Sequence, residues 1–142
     1  MTQLELIYPM AALVLLTIFV LYRMVRGRVA AVRRGDVDAR YYKTYQGDNT
    51  EPRQAVQNAR HFTNLFENPV LFYAACIVAM ASGLGGMPML VLAWLFVASR
   101  VAHAAIHLTS NRIPQRMAAY GVSWFVLAAM WLWLVYGAAT AP

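Results

Sequence analysis

The chain has 142 residues, of which 61% are hydrophobic, whereas roughly 45–50% are apolar in an ordinary soluble domain. Only 13% of the residues are charged, and the 12 basic and 6 acidic side chains give a net charge of +6. This composition excludes a typical water-soluble domain, and the 13% of aromatic residues exclude a disordered chain. The single cysteine, Cys76, excludes an internal disulfide and is expected to be apolar packing.

Four segments are long and apolar enough to cross a bilayer, which takes about 20 residues per helix. They run from about 4 to 22, 62 to 81, 89 to 108 and 117 to 136. The three residues before the first segment carry no basic side chain, so no cleaved signal peptide is expected. We therefore predict one all-α membrane domain covering residues 1–142, built as a four-transmembrane-helix bundle.

The basic residues fall in two clusters that predict the orientation of the bundle. Nine lie between Arg23 and Arg60, three lie between Arg100 and Arg116, and none lies elsewhere. Connecting segments rich in arginine stay on the cytoplasmic side of a membrane. We expect a cytoplasmic loop at about 27–57 and both termini outside. The compact chain and the lack of a targeting sequence are compatible with a bacterial inner membrane.

The polar run Asp48-Asn49-Thr50-Glu51-Pro52 has the features of a helix start. Asparagine or aspartate caps the first free N–H groups, and proline is tolerated in the first turn because its missing N–H would be unpaired there. The second helix is therefore predicted to begin in the cytoplasm, two to three turns before the membrane.

Two ionisable residues lie about ten positions inside the predicted spans: Glu67 in the second and Arg100 in the third. A charge near the centre of a bilayer is costly, which makes such residues functional candidates. Their matching depths predict a buried Glu67–Arg100 pair if the two helices are neighbours. The alternative is that the pair only fixes the register of the helices.

Further polar residues continue from this pair along two helix faces. They are Arg53, Arg60, Asn64 and Glu67 on the second helix, and Arg100, His103 and His107 on the third. Their spacings of three, four and seven place each set on one face. A polar seam between helices is one interpretation. The excess of arginine over acid favours another, a cationic cleft that binds an anionic ligand.

The histidines allow a third interpretation, in which His61, His103 and His107 bind a metal or haem. Further metal ligands are missing from the neighbouring sequence, so no metal site is predicted.

We expect contact with the lipid bilayer and no nucleic-acid partner.

Two stretches resemble a known family. The first is Arg60-His61-Phe62-Thr63-Asn64-Leu65-Phe66-Glu67, and the second is Arg100-Val101-Ala102-His103, with Arg116 sixteen residues after Arg100. In order and spacing they are similar to the second and third helices of the MAPEG family, the membrane-associated proteins in eicosanoid and glutathione metabolism. The likeness to its microsomal glutathione transferases covers nearly the whole chain.

The resemblance implies a homotrimer that binds glutathione as a co-substrate between subunits, near the cytoplasmic face. The implied glutathione-binding residues are Arg60, Asn64, Glu67, Arg100, His103 and His107. Arg116 matches an arginine beside the glutathione sulfur and is the implied catalytic residue. A cation near a thiol favours the thiolate, which is the nucleophile. The expected enzyme is a transferase or peroxidase acting on hydrophobic small molecules that arrive from the bilayer.

One departure from the family keeps a second hypothesis open. The family often has a tyrosine at the position of His107, and that ring contributes to glutathione binding. A non-enzymatic lipid-binding or partner-binding membrane protein on the same scaffold is therefore the alternative.

Overall fold

The computed structural model describes residues 3–46 and 50–140, which form helices joined by short turns. The α-helices are α1 (Ile7–Arg33), α2 (Tyr41–Thr44), α3 (Arg53–Asn64), α4 (Asn68–Ser82), α5 (Met87–Leu108) and α6 (Ile113–Thr140), and one 3-10 turn, Gln3–Leu6, precedes α1. Four segments could cross a membrane by length and composition: Gln3–Arg33, Arg53–Ser82, Met87–Leu108 and Ile113–Thr140. The chain is thus all-helical over the described residues, with four candidate spans.

Helix α1 continues well beyond the first predicted span. Its 27 residues rise about 40 Å at 1.5 Å per residue, about 10 Å more than a hydrocarbon core requires. Residues 27–33, expected to belong to the polar loop, are therefore the last turns of α1. Helices α1 and α5 end, and helices α3 and α6 begin, at the same end of the bundle. We call this the loop end.

The second candidate span is two helices rather than one. Helix α3 begins at Arg53, directly after Pro52, whereas Asp48 and Asn49 of the predicted start signal lie outside the described residues. Regular helix stops at Asn64 and resumes at Asn68, and Glu67 between them has ψ near −104°. The prediction of a continuous second helix is therefore wrong. Pro69 supplies the reason, because proline has no N–H to donate to the carbonyl of Leu65 and its ring clashes with that carbonyl four residues earlier.

The apolar core lies around α5, which packs against α1, α3, α4 and α6. Its centre includes Phe72 and Phe96, whose parallel rings are fully buried with centroids 4.6 Å apart. A smaller cluster of Val20, Leu65 and Leu108 closes the core toward the loop end. Polar residues accumulate beyond this cluster.

A buried hydrogen bond joins α4 to α6 just after the helix break. The Asn68 amide donates from Nδ2 to Ser123 Oγ at 2.9 Å, and the Ser123 hydroxyl donates to the Tyr120 carbonyl at 2.6 Å. Both side chains are fully buried. This link fixes the start of α4 against the face of α6 that carries Tyr120.

Replacing Ser123 with alanine should lower the free energy of unfolding by about 1 kcal/mol, because the Asn68 amide loses its buried acceptor. The measurement is thermal or denaturant unfolding of the purified protein in detergent. Ser82→Ala is the matched control, since the exposed Ser82 hydroxyl bonds only to a carbonyl of its own helix. Equal effects of the two substitutions would contradict a stabilising α4–α6 link.

Candidate functional site

A cavity of about 460 Å³, lined mostly by polar and charged residues, opens at the loop end, between α3, α5 and the first turns of α6. It is lined by Arg60, Thr63, Asn64, Glu67, His103, His107, Arg116, Met117 and Tyr120. Six of the seven site residues expected from the sequence line this cavity, and the seventh, Arg100, lies behind its wall. Arg53, on the same predicted stripe, is exposed and does not line the cavity.

Arg100 is fully buried in the middle of α5. Its Nη2 donates to Asn64 Oδ1 at 2.5 Å, and its Cζ lies 5.7 Å from the centre of the Tyr120 ring, which favours a cation–π contact. Its Nε and Nη1 have no hydrogen-bond partner in the described part of the chain. Removing a guanidinium from water is costly unless its donors are satisfied, so the bond that Arg100 donates to Asn64 is important for burying it.

The predicted direct pair between Glu67 and Arg100 is wrong. The Asn64 side chain lies between the two charges, because its amide nitrogen donates to Glu67 Oε2 at 2.6 Å while its oxygen accepts from Arg100. Glu67 itself is exposed at the helix break, where its carboxylate faces the cavity instead of the core. The interruption after Asn64 therefore separates the acid from the buried base.

Tyr120 is a site residue to which no role is assigned from the sequence. Its hydroxyl donates to Glu67 Oε2 at 2.9 Å, so that one carboxylate oxygen holds both Tyr120 and Asn64. Its position one turn after Arg116 was visible in the sequence, but the contact with Glu67 depends on how α6 packs against the helix break.

Arg116 lies in the first turn of α6 and is held from the α5–α6 turn. Its Nη1 donates to Asn111 Oδ1 at 2.8 Å and lies 3.4 Å from His107 Nε2. Asn111 has a φ of 47°, in the left-handed region that asparagine adopts more readily than most residues. Sequence reasoning missed Asn111, although an asparagine in a short polar turn was a usable signal.

Three histidines pack together beside the arginines. His61 is fully buried, and its ring centre lies 5.5 Å from that of His103 and 4.9 Å from that of His107. His103 Nδ1 is 3.2 Å from the Arg116 carbonyl oxygen. Within residues 3–46 and 50–140, no group of three histidine, cysteine or acidic side chains is arranged to hold a metal ion.

The electrostatics of the site are dominated by cations. Arg60, Arg100 and Arg116 surround a cavity whose lining includes one carboxylate, Glu67. The ion pairs of the described residues, Arg28–Glu51 and Arg34–Asp36, both lie outside the cavity. An anionic ligand would balance the excess positive charge.

The fold and the site together define a class: a multi-pass integral membrane protein, all-helical in its described part, with a cationic ligand cavity at one end of its helices. The chain belongs to the MAPEG family, whose sequence model matches residues 6–136 and thus every residue that lines the cavity. No curated protein and no solved structure gives a significant match to the chain. The resemblance in the two helical stretches is thereby confirmed, and in general terms membership indicates a role in membrane-associated glutathione or eicosanoid metabolism.

Asn64 and Arg100 should be strongly coupled in stability. Asn64→Ala leaves the buried guanidinium without its amide acceptor and should lower the free energy of unfolding by about 2 kcal/mol. In an Arg100→Met background the same substitution should cost less than half as much, because the charge that needs the amide is gone. Unfolding of the two single variants and the double variant in detergent measures this difference. Thr63→Ala, at an exposed neighbouring position, is the control, and additive effects would contradict the coupling.

Proposed function

We propose that the protein is a glutathione-dependent membrane enzyme, a transferase or peroxidase that conjugates or reduces hydrophobic electrophiles. The observation that carries the proposal is the cavity in which Arg60 and Arg116, with Arg100 behind them, surround the single lining carboxylate of Glu67. MAPEG family members commonly use glutathione, which carries two carboxylates, an ammonium group and a thiol. A volume of about 460 Å³ is in the range of small-molecule sites.

The side chains suggest a division of tasks along the tripeptide. The exposed Arg60 guanidinium can hold a carboxylate with two parallel bonds. Glu67 accepts two intramolecular bonds at Oε2, which leaves Oε1 for the ammonium group. Arg100 and Asn64 support this wall from behind, while His103 and His107 contribute ring nitrogens beside Arg116. His107 Nδ1 is buried and has no hydrogen-bond partner among the described residues, and a bound ligand would satisfy it.

Arg116 is the proposed catalytic residue. A free thiol has a pKa near 8.5, and a guanidinium close to the sulfur stabilises the thiolate. The thiolate attacks an electrophile from the bilayer, forming a sulfur–carbon bond while the leaving group departs with its electron pair. With a hydroperoxide it attacks the terminal oxygen and releases an alcohol, and a second glutathione then reduces the sulfenic acid. Holding both reactants together supplies the proximity that speeds the step.

The proposed setting is a bacterial inner membrane with both termini outside and the loop end in the cytoplasm. The support is that the basic residues, apart from Arg100 within α5, lie toward the loop end. We further propose a homotrimer, in which a neighbouring subunit closes the open side of the cavity. Large apolar side chains exposed on the helices, such as Phe125 and Leu132 on α6, are available for lipid and subunit contacts.

The alternative is a non-enzymatic lipid-binding or partner-binding protein. It is favoured by His107, which stands where the family often has tyrosine. Thermal stabilisation by a panel of ligands separates the two proposals, because a lipid-binding protein responds to fatty acids while glutathione has no effect.

Arg116→Ala and Arg60→Ala should affect different properties of glutathione binding: the first the thiol pKa of bound glutathione, the second its Kd. Without Arg116 the thiol pKa of bound glutathione should rise by about one unit or more while the Kd changes little, since the lost cation acts on the sulfur. Without Arg60 the Kd should rise about tenfold, about 1.4 kcal/mol, with the thiol pKa nearly unchanged. The ultraviolet absorbance of the thiolate gives both quantities, by titration with glutathione and with pH. Arg53→Ala is the matched control for charge.

Two outcomes would count against this scheme. If both variants lost binding and thiolate formation to the same degree, the division of tasks would be wrong. If the folded wild-type oligomer gave no thiolate signal with glutathione, the proposed function itself would be wrong.

Asn111 should act as a positioning residue for Arg116. Asn111→Gly keeps the left-handed backbone but removes the side-chain acceptor, so the thiol pKa should rise by part of the shift seen without Arg116. Asn111→Asp keeps an acceptor and should retain thiolate formation. Glutathione affinity should stay within about threefold in both variants. A purely structural role would lower thermal stability in Asn111→Gly and leave the thiol pKa unchanged.

A further inference from the structure

The three histidines of the chain, His61, His103 and His107, form one buried group that we call the histidine cluster. His61 is fully buried, and His103 and His107 are 3% and 6% exposed. Four of their six ring nitrogens are buried without a hydrogen-bond partner among residues 3–46 and 50–140: both nitrogens of His61, Nε2 of His103 and Nδ1 of His107. Buried polar groups are nearly always hydrogen-bonded, so a partner is expected for these atoms.

The other two ring nitrogens determine the tautomers of His103 and His107. His107 Nε2 lies 3.4 Å from Arg116 Nη1, and because a guanidinium only donates, this nitrogen is the acceptor. The proton of a neutral His107 ring is therefore on Nδ1. His103 Nδ1 lies 3.2 Å from the Arg116 carbonyl oxygen, which only accepts. His103 therefore also carries its proton on Nδ1, and its Nε2 is an acceptor.

The surroundings favour an uncharged cluster. Arg116 contacts His107, and the fully buried Arg100 lies one turn before His103 on α5. A buried imidazolium beside two guanidinium groups would add an unpaired positive charge, which is costly. The unused groups of the neutral cluster are then two donors and two acceptors, because His61 has one of each, His107 has a donor and His103 has an acceptor.

This set of groups does not suit a metal ion. A metal ion binds the lone pairs of imidazole nitrogens, and His107 directs its lone pair toward Arg116. At most two rings could therefore serve as ligands while the Arg116 contact remains, which is fewer than the three or four protein ligands of a usual zinc site.

Water suits the cluster, because a buried water molecule donates and accepts and usually has about three polar partners. The ring centres lie 4.9–5.7 Å apart. Two hydrogen bonds of about 2.9 Å at one water oxygen can span up to about 5.8 Å, so the rings are close enough to share a molecule. His103 and His107 also line the cavity of the candidate site, which gives water a path to the cluster.

We propose that the histidine cluster is a binding site for an ordered water molecule. The water accepts a bond from His107 Nδ1, donates one to His103 Nε2 and shares a third with His61. It keeps the proton of His107 on Nδ1, so that Nε2 remains an acceptor for Arg116. The water satisfies His107 whether or not the cavity holds a ligand, and the site does not rest on the function proposed above.

The test uses the full-length protein with ¹⁵N-labelled histidine in lipid bilayers, without glutathione. The chain has three histidines, so every labelled ring signal comes from the cluster. Solid-state NMR should show neutral His103 and His107 rings with the proton on Nδ1, and polarisation from water protons should reach the four unpartnered nitrogens. Nitrogens that receive no polarisation from water, or a charged ring, would overturn the proposal. Signals that shift when EDTA is added would show a metal ion instead.

Variants of His61 separate a bound water from the water of the open cavity. His61→Phe keeps an aromatic ring in the cluster but removes both nitrogens, so the polarisation transfer to His103 and His107 should be lost and His107 should adopt both tautomers. His61→Gln keeps a donor and an acceptor and should retain the transfer. Phe62→Leu, at the next residue of α3, where the ring packs on Phe66, is the control and should change neither signal.

Two outcomes with the variants would contradict the site. Unchanged transfer in His61→Phe would show that cavity water, rather than a bound molecule, contacts the rings. Loss of the transfer in His61→Gln as well as in His61→Phe would show that the packing of the imidazole ring, and not its hydrogen bonds, is what the cluster requires.

Discussion

The burial of the Arg100 guanidinium is the constraint on which the loop end of this protein depends. A permanently charged side chain inside a helical membrane bundle is tolerated only if other groups replace its water. Here the replacements come from two directions: the Asn64 oxygen at the end of α3 and the Tyr120 ring on α6. Three segments far apart in sequence are thereby brought to one point, and the cavity lies where they meet.

The helix break before Pro69 makes this arrangement geometrically accessible. In an uninterrupted helix Asn64 and Glu67 would lie one turn apart along a single stripe. With the backbone interrupted, Glu67 instead accepts from both Asn64 and Tyr120, and the Asn68–Ser123 bond fixes the restart of the helix against α6. A short irregular segment thus turns a stripe of polar residues into a closed network.

The features predicted from the sequence are those set by local pattern. Hydropathy located the four spans because the bilayer imposes their length, and spacings of three and four grouped Arg60, Asn64, His103 and His107 on two faces that do line one cavity. The Glu67–Arg100 pair was wrong because matched depth does not determine which side chain stands between two charges. The contribution of Asn111 depends on a left-handed backbone in one turn, which no periodicity reports.

Helix α3 is attached to its neighbours by two side-chain amides. Asn58 donates to a backbone carbonyl of α1, while Gln57 donates to the His107 carbonyl of α5. The helix is therefore attached on both sides through rigid backbone groups, with Arg60 and Asn64 at its far end. The positions of α1 and α5 therefore set the position of the helix that carries these two cavity residues.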